Sequence, residues 1–207
     1  MKHEWRKKEK NVYIPKEQAI AIEVPKYKYF TITGQGNPNS EGFAEKIKAL
    51  YALSYTIRMM PKGGVTPEGY YEYTVYPLEG LWDLTEAGRQ VEALDKDELV
   101  YKIMIRQPDF VTQEVVDMAL DMAIKKKKTP LIKEINFETI EDGLSVQMLH
   151  VGPYDDESRT FASMQQFIDE NNMVLRTKVH REIYLTDFTK TEPHKLKTTL
   201  RYLVKRV

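Results

Sequence analysis

The chain has no cysteine among its 207 residues. That absence excludes disulfide scaffolds, thiol nucleophiles and every cysteine-ligated metal centre. Long apolar runs are missing as well. Nothing approaches the roughly 20 residues that a bilayer-spanning helix requires. The basic amino terminus lacks the apolar stretch of a secretory signal, so a cytoplasmic protein with no membrane partner is expected. Neither sign of charge is in excess, since Lys plus Arg and Asp plus Glu both number 31. No global field draws the chain to nucleic acid, and no direct nucleic-acid binding is expected. The run Lys125 to Lys128 reads as the solvated, dipole-compatible end of a helix.

Familiar catalytic and cofactor signatures are absent too. Gly34 and Gly36 form no dinucleotide fingerprint, because the third glycine is missing and Pro38 occupies the place where a helix should begin. No G-x-S-x-G offers a serine nucleophile, and no phosphate-binding loop is present. The four histidines, even with Glu157 and Glu182 nearby, match no zinc spacing. Neither a metal nor a cofactor is expected. What the chain does have is tyrosine, 13 residues against 7 phenylalanines and 2 tryptophans, giving rings that stack and also donate hydrogen bonds.

Periodicity sets the organisation. Residues 1–26, charged and broken by Pro15 and Pro25, read as a partly ordered lead-in, with 1–11 outside the folded domain and 12–207 within it. A strand at Lys28–Thr33 precedes a helix that Ser40 caps and that runs to about Met59. Tyr70–Tyr76 reads as a strand, with Tyr71, Tyr73 and Val75 on one face and Tyr76 on the other, and Pro77 ending it so that Trp82 lies near its tip. Which face carries function stays open. Further strands are expected at Leu99–Arg106 and Lys197–Lys205, with a helix over Val111–Ile124 and a linker at Ile132–Gly143.

The stretch from Leu144 to Asp187 carries the most chemistry. It alternates as a strand, breaks at Gly152-Pro153, and takes a helical period at Phe161, Met164, Phe167 and Ile168. A second strand follows at Arg181–Thr186, sending Ile183 and Leu185 to one face and Glu182 and Tyr184 to the other. If the helix covers the Ile183 face, the acid and the phenol look out of an uncovered one. Set side by side, the halves repeat as strand-helix-strand-strand units, about 27–107 and 132–207, joined by a helix at about 111–127. The expectation is an α+β fold with antiparallel sheets, helices on one face and a ligand cleft between the repeats.

Three motifs in this order, Pro77-Leu78-Glu79-Gly80-Leu81-Trp82, His150-Val151-Gly152-Pro153-Tyr154-Asp155-Asp156-Glu157 and Glu182-Ile183-Tyr184-Leu185, make the chain resemble the GyrI-like small-molecule-binding domains. The resemblance spans about residues 12–207. It implies a duplicated strand-helix-strand-strand (SHS2-type) fold. It also implies an aromatic-lined pocket for bulky hydrophobic ligands, with Glu182 at its base. Some free-standing bacterial members hydrolyse cyclopropane-bearing DNA alkylators. By that analogy Glu182 and Tyr154 are the catalytic candidates, Glu182 positioning water and Tyr154 donating to a carbonyl. Trp82, Tyr71, Tyr73, Tyr76, Glu79, His150 and Tyr184 are the ligand-binding candidates. A structural role for Tyr154 at its turn, and core packing for the strand tyrosines, remain alternatives. The rival reading is a non-catalytic module that sequesters or senses drugs, or engages a protein partner. A homodimer is also left open.

Overall fold

The computed structural model describes residues 2–126 and 129–207, so Lys127 and Lys128 of the lysine run lie outside the described residues. The fold is α+β with antiparallel strand pairing, as the alternation predicts. In chain order the elements are α1 (Trp5–Lys8), α2 (Lys10–Tyr13), β1 (Ile20–Gln35), α3 (Glu41–Met59), β2 (Leu78–Leu84), β3 (Leu99–Gln107), α4 (Gln113–Lys125), β4 (Asn136–Val151), α5 (Glu157–Glu170), β5 (Met173–Tyr184) and β6 (Lys197–Arg206). They fall into two compact units. One comprises the segment ending at Glu4 with Tyr27–Leu78 and Leu84–Ile140. The other comprises Trp5–Lys26, Glu79–Asp83 and Glu141–Val207.

In the first unit β1 pairs with β3, from Lys28 opposite Gln107 to Gln35 opposite Val100. Ser40 caps α3 as expected, its hydroxyl accepting from the Phe43 amide. That helix buries Phe43, Leu50, Leu53 and Ile57 and packs on α4. The Tyr70–Tyr76 segment is not the strand its composition predicts. It follows a turn at Gly69 (φ 70°) and pairs only through a single bridge of Tyr73 with His3. Side chains claim its polar groups instead: Arg58 Nε donates to the Tyr73 carbonyl at 2.7 Å, and the Tyr70 hydroxyl donates to the Arg58 carbonyl at 3.0 Å. Ring packing explains the preference, because Tyr70, Tyr71 and Tyr73 all gather against Phe110. High β propensity reflects fit to a half-buried pleat, and here the rings find a better burial.

In the second unit the strand order is β2-β5-β6-β4. The predicted strand positions shift accordingly. Trp82 lies inside β2 rather than beyond a strand tip, and the expected linker at 132–143 already contains the first half of the 16-residue β4. The lead-in is built in as well, since Trp5 and Tyr13 are buried with their rings 5.2 Å apart.

Helix α5 covers the opposite face of the sheet from the one expected. Its Met164 and Ile168 are buried with Val146, Leu200 and Val204, and Phe161 packs beside them. Leu200 lies directly across from Glu182 in the β5–β6 ladder. Directly paired residues share a face, so the helix lies on the Glu182 side. The other face is occupied by charge. Arg181 donates to Glu79 at 2.8 Å and to Asp142 at 2.6 Å, and Arg201 donates to Asp142 at 2.9 Å and to Gln147 Oε1. All five side chains are buried. Burial pushes the Asp142 carboxyl up, but the two guanidiniums outweigh it and leave the group below the usual carboxylate range. Apolar α5 cannot cover such a surface without stranding charge.

Asp142 bridges both guanidiniums, so truncating it leaves two buried cations without their shared anion. Asp142→Ala is expected to cost about 3–5 kcal/mol, read as a lower urea midpoint with an unchanged slope.

Candidate functional site

Gly152 and Pro153 shape the edge of the site. Gly152 has φ 139°, a conformation that L side chains rarely adopt, and it turns the chain from β4 toward α5. His150 fixes that turn from below. Its Nε2 donates to the Pro153 carbonyl at 3.1 Å, because a carbonyl can only accept. The Nδ1 is then left to accept from the Thr160 hydroxyl at 2.8 Å. With both nitrogens engaged and the ring buried, His150 holds the turn that presents Tyr154.

Strand alternation brings His180, Glu182 and Tyr184 to the α5 face, and the β2 register sets Gly80 opposite Glu182 and Trp82 opposite His180. A hydrogen-bonded chain results. Trp82 Nε1 donates to the Tyr184 hydroxyl at 2.8 Å, and that hydroxyl donates to Glu182 Oε2 at 2.8 Å. The other Glu182 oxygen lies 3.0 Å from His180 Nε2. A carboxylate only accepts, so the hydrogen is on that nitrogen. Phe161 of α5 packs edge-on against His180, with centroids 4.8 Å apart, and Tyr154 packs edge-on against Tyr184 at 6.0 Å. Tyr154, 37% exposed, is the solvent edge of the cluster, whereas Trp82 at 5% is its floor.

One member was not singled out from the sequence. Glu157, the first residue of α5, is buried within reach of the Glu182 charge. Its Oε1 has no hydrogen-bond partner. Desolvation, and then the neighbouring Glu182, push its carboxyl up to about 10. A helix amino terminus favours charge on a first-turn carboxylate by roughly 0.3–1 kcal/mol. Burial, and then the Glu182 charge, outweigh that preference and raise the Glu157 carboxyl. Two donors converge on Glu182, from His180 and Tyr184. Burial, and then the Glu182 charge, raise the Tyr184 and Tyr154 phenols. Both remain donors at neutral pH. In the sequence Glu157 closes the motif that begins at His150 and was weighed only as a metal ligand, with no role in catalysis or ligand binding.

The other predicted site residues are placed elsewhere. Glu79 lies on the opposite face, paired with Arg181. Tyr71, Tyr73 and Tyr76 belong to the first unit, where Tyr73 and Tyr76 are buried in its core and Arg106 stacks over the Tyr76 ring. Two surface depressions of the second unit, of about 270 and 600 Å³, open beside Ala19 and Phe167 and beside Ile14 and Lys197. The Glu182 cluster lines neither; its chemistry, not the size of a depression, marks it. Among the described residues no group of three or more His, Asp or Glu is arranged to hold a metal. None of the described helices is long and apolar enough to cross a membrane.

Two outcomes follow from this geometry. A Cβ at position 80 would lie 2.6 Å from Trp82 Nε1 and 3.3 Å from the Tyr184 hydroxyl. Gly80→Ala is therefore expected to displace Trp82, changing tryptophan fluorescence and costing about 1–3 kcal/mol. The second concerns pH. The folded state holds the Glu157 proton more tightly than the unfolded chain, from an ordinary 4.5 to about 10. Its stabilising contribution is full below pH 4.5 and is lost as pH rises toward 10. Between about pH 5 and 9 the melting temperature of the wild type should fall more than that of Glu157→Gln, whose amide does not titrate.

The comparisons with known proteins agree with this architecture. A GyrI-like small molecule binding domain matches residues 20–205. A structure described as a hydrolase from Listeria innocua is 36% identical, with a TM-score of 0.91, 99% of this chain and 100% of that one covered. Another hydrolase structure from the same organism is 35% identical with a TM-score of 0.89, covering 98% and 100%. The EcmrR C-terminal domain, at 16% identity and a TM-score of 0.56 over 95% and 99% of the two chains, shares the fold. Among functionally curated proteins none matches. With nine-tenths of its length matched by one family model, this chain belongs to the GyrI-like small-molecule-binding domain family.

Proposed function

We propose that this protein binds flat, hydrophobic small molecules against Trp82, Tyr154 and Tyr184 and adds water to electrophilic ones, cyclopropane-fused dienones being the substrate class. The observation that carries this reading is the Glu182 carboxylate. It accepts from Tyr184 and His180 among aromatic rings, with its side chain 12% exposed. A carboxylate so placed can orient and deprotonate a water. The two Listeria innocua relatives described as hydrolases support the reaction type.

The step balances without a cofactor. Water oxygen attacks the cyclopropane CH2, and the C–C bond between that carbon and the dienone ring breaks. Its electron pair moves through the ring to the carbonyl oxygen, which becomes a phenolate, while Glu182 takes the proton from water. Tyr154 keeps its own proton and offers a hydrogen bond to the oxygen as it gains charge. Aromatisation drives the opening. Such a protein, acting in the cytoplasm, would remove DNA-alkylating compounds before they reach a nucleophile.

The test is incubation of the purified protein with excess cyclopropane-fused cyclohexadienone, following the ring-opened alcohol by mass spectrometry. Glu182→Gln is expected to lower turnover by about 10²- to 10⁴-fold while binding persists. Stoichiometric binding with no product in the wild type would replace hydrolysis with sequestration.

A further inference from the structure

We infer that the larger surface depression of the second unit is a binding site in its own right, for an amphipathic anion with one carboxylate head on a hydrophobic body. It does not depend on the reaction at Glu182, and no residue of that cluster lines it. Its volume of about 600 Å³ falls within the roughly 300–1,000 Å³ typical of small-molecule sites.

The walls come from segments tied together through their backbones. β4 ends at Val151, which lies opposite Lys197 of β6. The Leu185 amide donates to the Lys197 carbonyl at 3.0 Å, and the Gly152 amide donates to the Leu196 carbonyl at 3.0 Å. The Lys197 amide donates to the Thr186 hydroxyl at 3.0 Å. Arg6 closes the side from α1, its Nη2 donating to the Leu185 carbonyl at 2.6 Å. A guanidinium pinned to that carbonyl and stacked 4.3 Å from the Trp5 ring centroid has little rotamer freedom left to lose. The depression is formed before anything enters it, which lowers the ordering cost of binding.

Its surface chemistry selects the ligand. Leu185 is buried and Ile14 and Val151 are half-buried, whereas Arg6, Lys195 and Lys197 are exposed. Apolar surface therefore forms the floor and positive charge the rim. Among the described residues no acid lines the depression. Glu192 stands outside the lining, 2.5 Å from Lys195 Nζ and 3.7 Å from His194 Nε2. That pairing leaves Lys197, which has no ion pair among the described residues, as the open charge. Thr186 adds a neutral donor, because its oxygen already accepts from the Lys197 amide and its hydrogen is left for another acceptor.

Positive and negative side chains balance over the whole chain at 31 each, so this one-signed rim is a local arrangement. The smaller depression has the opposite sign, with Glu17 and Glu170 in its wall and no cation. A hydrophobic body laid on the Leu185 floor leaves water, and a single carboxylate then reaches Lys197 and Thr186. A polyanion would leave the floor uncovered. A neutral ligand would gain nothing from the cations.

Decanoate is the probe, and amide NMR of the isotope-labelled protein is the readout. Saturable shifts are expected at Val151, Thr186, Lys195 and Lys197, weakening as salt is raised. Decanol and decyltrimethylammonium should bind about tenfold more weakly or less. Lys197→Glu keeps the backbone bonds of β6 and should weaken decanoate about tenfold, whereas Glu182→Gln should leave it unchanged. Shifts confined to Tyr154, Glu182 and Tyr184, the absence of saturable shifts, equal affinity for decanol, or wild-type affinity in Lys197→Glu would each overturn the assignment. Decanoate has no cyclopropane to open, so the result stands apart from whether the protein hydrolyses anything.

Discussion

Everything at the site depends on one constraint, the alternation of β5 at two neighbouring residues. Arg181 points to one face and Glu182 to the other, so the strand separates a buried ionic network from the carboxylate of the aromatic cluster. The guanidinium is satisfied by Glu79 and Asp142, and it draws no proton or partner from Glu182. A one-residue slip would exchange the two faces. It would then place a cation under the apolar stripe of α5 and the Glu182 carboxylate among Asp142 and Glu79. The buried ion network is thus a register lock as much as a source of stability, in keeping with the use of buried polar groups to specify one arrangement over another.

Much of this was legible in the sequence. The cap at Ser40, the helix to Met59, the strands at Leu99 and Lys197 and the shared face of Glu182 and Tyr184 all follow from local period and capping chemistry. What was not legible depended on partners distant in the chain. The Tyr70–Tyr76 heptapeptide has strand composition, but Arg58 and Phe110 decide its conformation, and neither is visible in a seven-residue window. The face covered by α5 was misassigned because Ile183 looked like the core side. The sequence pattern gave no hint that Arg181 and Arg201 would be buried with Asp142 on that side. Arginine in a strand reads as solvent-facing until its carboxylates are placed.

The site shows the same division. Glu182, Tyr184, Trp82 and Tyr154 come together, because alternation and the motif order both point to them. Glu79 and His150 lie in the same motifs yet serve the scaffold, one in the ionic core and one beneath the Gly152 turn. Glu157 was named with its motif but given no role at the site, for a plain reason: an acidic residue in the first turn of a helix is ordinarily a solvated, dipole-compatible choice. Only its burial against a second carboxylate distinguishes it.

The membership of Glu79–Asp83 in the second unit also bears on synthesis. This short segment leaves the ribosome about a hundred residues before the strand with which it pairs. Until Arg181 and Glu182 emerge, Glu79 has no guanidinium and Trp82 has no Tyr184 to receive its proton. An amino-terminal fragment of the chain therefore cannot carry a partial version of the site. The cluster around Glu182 assembles only after β5 has been made, so a product cut short before Arg181 would lack it altogether.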